Sequence, residues 1–314
     1  MTSNTIMTTI LGGFLGSGKT TVLNQLLNDL NPQLRTAVII NDFGEVNIDS
    51  LLIEKGGYSK KEISGGCICC SLKAKLLDTL LQIVNEEKPD EIYIEATGLA
   101  VPWEMKQTIE KNFPSDLIRV KDVLVCMDAR QCDRYHDRLP AYSRQFEGRP
   151  LVLITKADIY SLDVLEQTRV KLQKHYPGLT GFAESRSGCW KKPGTPGIPV
   201  TSPAASTGLF LFHPEMIDTG KDGIESLSLM GPLTGTVADL HQLIDENRPK
   251  VIRLKALIPF NKTVLSLQFD GSTISEQKAP ENLDIKGQTV LNMFCMKEDM
   301  ENLKEKISRL ISLD

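Results

Sequence analysis

Gly12-Gly13-Phe14-Leu15-Gly16-Ser17-Gly18-Lys19-Thr20-Thr21 is the stretch from which the rest of the chain is read. From Gly13 to Thr20 it follows the phosphate-loop pattern G-x-x-x-x-G-K-[ST]. Ile6 to Leu11 is a short apolar run suited to a buried strand. From Thr21 to Leu30 the apolar residues Val22, Leu23, Leu26, Leu27 and Leu30 recur at helical spacing. Strand, glycine-rich loop and helix is the setting in which this motif works. Gly13, Gly16 and Gly18 can take backbone angles closed to other residues, so successive N–H groups can wrap a phosphate. The helix start adds unsatisfied N–H groups and the positive end of its dipole. Lys19 is then placed to reach the β- and γ-phosphates, and the Thr20 hydroxyl to ligate Mg2+.

Outward from the loop, apolar runs at Thr36–Asn41, Asp90–Glu95, Val120–Met127 and Leu151–Thr155 read as further strands. Helical spacing fills 72–87, 103–112, 130–146 and 162–175 between them. Strands alternating with helices predict an α/β fold, a mostly parallel sheet flanked by helices. Its ligand is expected at the carboxyl ends of the strands, where Gly13, Asp42, Glu95 and Lys156 lie. Residues 176–203, rich in Gly, Pro and Ser, read as a long loop or insertion, with Ile198–Ser202 as the last strand of the first domain. A second pattern follows: strands at 225–229, 250–258, 263–269, 272–276 and 289–295, and helices at 237–246 and 298–313. A chain of 314 residues exceeds one typical core. The expected division is a phosphate-loop domain over 1–212, a linker over 213–222 and a small α+β domain over 223–314.

Charge is balanced, with 36 basic against 40 acidic residues and a formal net charge of -4. There is no long basic run, which points away from a nucleic-acid or anionic-membrane surface. No apolar stretch approaches the ~20 residues that span a bilayer. The amino-terminal residues lack the basic segment of a signal peptide, so a cytoplasmic protein is expected.

Three further clusters carry chemistry. Glu95, at the tip of a hydrophobic strand and followed by Ala96-Thr97-Gly98, is placed to hold Mg2+ or its water, and the Gly98 N–H to approach the γ-phosphate. Thr155-Lys156-Ala157-Asp158 fits the [NT]-K-x-D pattern that reads guanine. The aspartate accepts from N1–H and the 2-amino group, and adenine lacks that donor pair. Gly66-Cys67-Ile68-Cys69-Cys70 gathers three of the seven cysteines. Thiolates bind Zn2+, Co2+ or Cu+, and three sulfurs leave the set open, or completed by Glu45, a histidine or a second subunit. Cys126, Cys132, Cys189 and Cys295 are scattered and read as structural, with Cys189 the candidate reactive thiol. His136, His175, His213 and His241 form no metal-rich tract. A phosphotransferase, or a nucleotide-switched scaffold with structural cysteines, remains an alternative on these residues alone.

Taken in order, GGFLGSGKTT, NDFGEVNID (41–49), GGCICCSL (65–72), EATGLAVP (95–102) and TKAD (155–158) resemble the CobW-like metallochaperone GTPases, relatives of the urease and hydrogenase nickel-insertion GTPases. VIRLKALI (251–258) resembles a strand of that family's smaller domain. The resemblance implies a P-loop NTPase of the SIMIBI type that hydrolyses GTP slowly, binds Zn2+ or Co2+ and hands it to a client metalloprotein or cobalamin-related protein. A nucleotide-dependent homodimer is a further partner it admits. Carried over, Lys19, Glu95 and Asp42 are catalytic. Gly13, Gly16, Ser17, Gly18, Lys19, Thr20, Thr21, Gly98, Lys156 and Asp158 bind nucleotide. Cys67, Cys69, Cys70 and Glu45 hold the transition metal, and Thr20 and Glu95 hold Mg2+. Asp42, Thr155 and Ala256 depart from the family's usual glutamate, asparagine and glycine.

Overall fold

The computed structural model describes residues 5–31, 33–40, 59–60, 72–187, 189–190, 209–212, 223–261, 263–279 and 285–312. Asp42, Glu45, Cys67, Cys69, Cys70 and the strand expected at 198–202 lie outside them. The described residues fall into two compact units, one up to Phe212 and one from Gly223.

In the first unit the strands are β1 (Ile6–Gly12), β2 (Thr36–Ile40), β3 (Ser59–Lys60), β4 (Glu91–Glu95), β5 (Ile118–Asp128), β6 (Leu151–Thr155), β7 (Gly181–Glu184) and β8 (Leu209–Phe212). They form one sheet in the order β3-β8-β2-β4-β1-β5-β6-β7, and every pairing is parallel. All five residues of β2 are buried, the near-continuous apolar run expected of a strand covered on both faces. The flanking helices are α1 (Lys19–Asn28), α2 (Leu72–Gln82), α3 (Pro102–Asn112), α4 (Ala129–Tyr135), α5 (Pro140–Ser143) and α6 (Leu162–His175). Leu76 and Leu80 of α2 and Met105 and Ile109 of α3 join Ile10, Ile39, Ile92 and Ile94 of the sheet in one core.

Three expectations for this unit change. The helix expected over 130–146 breaks, because Pro140 lacks an N–H and holds Leu139 extended at φ -124° and ψ 107°. It becomes α4, α5 and a tight turn over Arg144–Phe146. The 176–203 segment is not wholly a loop: Gly181–Glu184 is edge strand β7, pairing Leu151 with Gly181. Leu209–Phe212 adds β8 beside β2. Both strands are four residues long, too short for alternation to stand out.

The second unit is an antiparallel sheet of β9 (Ile224–Gly231), β10 (Val251–Phe260), β11 (Thr263–Phe269), β12 (Ile274–Lys278) and β13 (Thr289–Met296), in the order β12-β11-β10-β13-β9. One sheet face packs under α7 (Val237–Glu246) and α8 (Met300–Ser308). Leu240, Leu243, Ile244, Leu303 and Ile307 meet Leu254, Ala256, Leu267 and Leu291 there. A capping box between Thr236 and Asp239 starts α7. The helix expected over 298–313 stops at Ser308, because the chain turns back: Thr234 N–H donates to Leu310 O and Ser312 N–H to Pro232 O. Among the described residues no helix is long and apolar enough to cross a membrane.

Candidate functional site

The phosphate loop runs from the carboxyl end of β1 into α1. Gly13, Gly16 and Gly18 have φ of 132°, 74° and 83°, all in the region that favours glycine. Gly18 caps α1 without any side-chain hydrogen bond, so no capping side chain takes the first N–H groups of the helix. Ser17 is buried and its Oγ has no partner among the described residues, while Thr21 is exposed in the first turn of α1.

Lys19 is 6% exposed and curls back over the loop, donating from Nζ to Gly13 O at 2.9 Å and Phe14 O at 3.2 Å. Thr20 donates from Oγ1 to Glu95 Oε1 at 3.0 Å. Glu95 ends β4, which is paired with β1, and is buried. A hydroxyl and a carboxylate oxygen meeting in this way beside a helix start are hard donors of the kind that could hold a magnesium ion. Beneath the loop is Cys126 of β5. Burial pushes its thiol well up, with Lys19 pulling it down and Glu95 raising it further, so it stays a neutral thiol.

Gly98 presses on the loop from the β4 side. A Cβ placed there would lie 2.5 Å from Leu15 Cδ2 and 2.8 Å from Leu15 N. Only glycine lets the two backbones approach so closely.

At the end of β6, Thr155 Oγ1 donates to Ser17 O at 2.7 Å, fixing the 155–158 segment to the phosphate loop. Lys156 has φ 54° and its Nζ lies 2.9 Å from Asp128 Oδ2. Asp158 is exposed and its Oδ1 accepts from Ser187 N–H at 3.1 Å. The structure thus brings Gly13, Gly16, Ser17, Gly18, Lys19, Thr20, Glu95 and Gly98 together, with Thr155 tying on the segment that carries Lys156 and Asp158.

Sequence reasoning missed three residues of this site. Asp128, 3% exposed at the end of β5, holds Lys156, the Arg130 N–H and the Tyr160 hydroxyl. Gln131 of α4 donates from Nε2 to Leu15 O at 2.7 Å. Gln145, 1% exposed, accepts the Gly13 N–H at 3.0 Å on Oε1. Phe14 also packs on Tyr135 and Tyr142, with ring centroids 5.1 and 5.8 Å away. The broken helical segment therefore supports the loop from behind. The Asp128 signal was present: an acid ending an apolar strand, like Glu95. A glutamine carries no such signal.

Of the four cysteines among the described residues, Cys126, Cys132 and Cys295 are buried and Cys189 is exposed. Burial raises the Cys132 thiol and pushes Cys295 up to about 12, with Asp299 and Glu225 adding to the latter. The thiolate is the reactive species. Iodoacetamide at neutral pH is expected to label Cys189 and spare the other three. Peptide mass spectrometry checks this, and labelling of Cys126 without denaturant would contradict the burial described.

Residues 7–180 match the family described as "CobW/HypB/UreG, nucleotide-binding domain". The chain is similar to the zinc chaperone YjiA of Escherichia coli (strain K12), 35% identical over 165 residues that cover 50% of this chain and 51% of that protein. It is similar to zinc-regulated GTPase metalloprotein activator 1 of Dictyostelium discoideum, 39% identical over 126 residues, 36% of this chain and 26% of that one. With the zinc chaperone CobW of Sinorhizobium sp it shares 36% identity over 214 residues, 58% of this chain and 60% of that one. The chain thus spans from about a quarter to three fifths of the length of these relatives. Among solved structures, the Zn(II)-bound YjiA GTPase from E. coli aligns over 98% of this chain and 99% of that chain, at 20% identity and a TM-score of 0.40.

Proposed function

Because the chain belongs to the CobW/HypB/UreG nucleotide-binding domain family, we propose that it is a GTP-hydrolysing metallochaperone that carries a transition metal on Cys67, Cys69 and Cys70 to a client protein. The observation that carries the reading is the Thr20–Glu95 contact at 3.0 Å beside a lysine-bearing phosphate loop. It is the ligand pair that a nucleotide-bound Mg2+ needs. The names of the relatives support zinc as the cargo, with Co2+ the other ion that suits an open thiolate set.

In this reading the loop N–H groups and the α1 dipole bind the phosphates. Lys19 turns from its carbonyl partners to the β- and γ-phosphates, and Gly98 offers its N–H to the γ-phosphate. Thr20 and Glu95 would hold Mg2+, which when bound would supply positive charge against the phosphates. Asp128 holds the Lys156 ammonium so that its alkyl stem lies along guanine, and Asp158 accepts from the base edge. Asp42 and Glu95 order the water that attacks the γ-phosphorus, and GDP leaves as the β–γ bridging bond breaks. The γ-phosphate orders the 41–49 and 65–70 segments into a tight metal site in which Glu45 joins the thiolates, and hydrolysis releases them. Residues 1–212 form the GTPase domain, 213–222 a linker and 223–314 the second domain. The client is a metalloprotein or cobalamin-related protein, with a nucleotide-dependent homodimer as the second assembly. A reducing cytoplasm keeps the cysteines available.

The test is a titration of Zn2+ and Co2+ into reduced protein with GTP-Mg2+, with GDP-Mg2+ and without nucleotide. Binding should be much tighter with GTP than with GDP. The C67S/C69S double variant should lose that GTP-dependent binding and keep its nucleotide affinity. Equal metal binding in all three states would uncouple thiols from nucleotide and return the site to phosphotransferase chemistry.

A further inference from the structure

Gln145 exists where it does because Pro140 breaks the helix. The tight turn over Arg144–Phe146 then buries its side chain behind the phosphate loop. A glutamine amide has one acceptor oxygen and an NH2 with two donors. Here Oε1 accepts the Gly13 N–H at 3.0 Å, and Nε2 donates to Ala100 O at 2.8 Å and Ala141 O at 3.3 Å. One side chain therefore joins the first glycine of the phosphate loop to the turn that follows Glu95.

That turn is closed on itself. The Ala100 N–H donates to Thr97 O at 3.2 Å and Thr97 Oγ1 at 3.0 Å. It leans on the phosphate loop where Gly98 meets Leu15, and Leu15 O is in turn held by Gln131. Two loops in van der Waals contact can still slide. A buried side chain bonded to both cannot allow it without leaving a donor or acceptor unsatisfied.

We propose that Gln145 is a positioning residue that ties the Thr97–Ala100 turn to the phosphate loop, and so sets how well the protein distinguishes GTP from GDP. The inference rests on the GTPase reading above. The phosphate loop holds the β-phosphate of either nucleotide, whereas the Gly98 N–H is used by the γ-phosphate alone. With the tie in place the Gly98 N–H is already aimed when GTP arrives, and a pre-organised donor stabilises developing charge without reorganising. Without it, the turn must be ordered when GTP binds. That cost falls on GTP and on hydrolysis, and leaves GDP almost untouched.

The experiment measures GDP and non-hydrolysable GTP-analogue affinities, and single-turnover GTP hydrolysis, for the wild type, Gln145→Met and Gln145→Glu. Methionine keeps the volume and removes all three hydrogen bonds. Glutamate keeps the acceptor for Gly13 N–H and loses at least one of the two donations, since a carboxyl has at most one O–H. In both variants the triphosphate-over-diphosphate preference should fall about tenfold, the scale of one buried hydrogen bond. Hydrolysis should slow by a similar factor, and in Gln145→Glu GDP affinity should stay within about threefold of wild type. Because the readout is a ratio on folded protein, a lower Tm does not mimic it. An unchanged ratio in both variants, with GDP and triphosphate weakened alike, makes Gln145 a plain structural support and overturns the inference. Wild-type protein that neither prefers guanine nucleotide nor hydrolyses GTP overturns the underlying reading, and this inference with it.

Discussion

Replacing Lys19 with alanine is expected to lower kcat/KM for GTP by at least about a hundredfold, the loss of roughly 3 kcal/mol of transition-state stabilisation. Lys19 is a nearly buried cation that donates to two neutral carbonyls of its own loop, Gly13 O and Phe14 O. Phosphate oxygens in the same concavity carry negative charge and would attract the ammonium more strongly than neutral carbonyls do, so the side chain is poised to exchange one set for the other. The fold should tolerate the change. Losing the two bonds to Gly13 O and Phe14 O, about 1.5 kcal/mol or more each for a charged donor, is offset in part by no longer burying an ammonium. Single-turnover hydrolysis and nucleotide affinity, measured beside a urea unfolding curve, separate the two effects. A variant that hydrolyses GTP within threefold of wild type would remove Lys19 from the reaction.

How much of this was legible in the sequence follows from how local each feature is. The phosphate loop, β1 and α1 are contiguous, and three glycines, a lysine and a threonine announce them. Glu95 was legible because it ends an apolar strand, is followed by Thr97-Gly98 and accompanies a phosphate loop, and β4 does lie beside β1. The supports behind the loop were not legible. Gln131 and Gln145 reach Leu15 and Gly13 across 116 and 132 residues, and a glutamine on a helical stretch looks like any solvated polar residue. Pro140 was visible, but apolar spacing on either side carried the expected helix across it. Strands β7 and β8 escaped because sheet pairing, rather than alternation, defines a four-residue strand. In the second unit, the strands were legible from their patterning. The end of the last helix was not, because Leu310 and Ser312 pair with residues near 232–234, distant in sequence. Asp42, Glu45 and the three clustered cysteines rest on motif and family alone.

Gly13→Ala should be far more damaging than Gly18→Ala, and the space around the two glycines shows why. Both glycines have positive φ, 132° and 83°, so alanine strains the backbone at either one. Space distinguishes them. A Cβ on Gly18 would find its nearest neighbour, Thr155 Cβ, at 3.5 Å, ordinary contact. A Cβ on Gly13 would lie 2.3 Å from the Cys126 carbonyl oxygen and 2.7 Å from Ser17 Oγ. The carbonyl belongs to β5, paired to β1 from Ile6 to Gly12, and a strand inside a sheet cannot step aside as a side chain can. The loop must move instead, which breaks the Gly13 N–H bond to Gln145 and displaces the carbonyl that holds Lys19. Strain and overpacking together should cost about 3 kcal/mol or more at Gly13, against about 1 kcal/mol at Gly18. Both tryptophans, Trp103 and Trp190, lie in the first unit, so tryptophan fluorescence in urea follows the unit that carries the change. Nucleotide binding should be lost in Gly13→Ala at urea concentrations where the protein is still folded. Equal unfolding midpoints for the two variants would mean that β5 yields to the new methyl, and that the phosphate loop is less firmly held by the sheet than these contacts require.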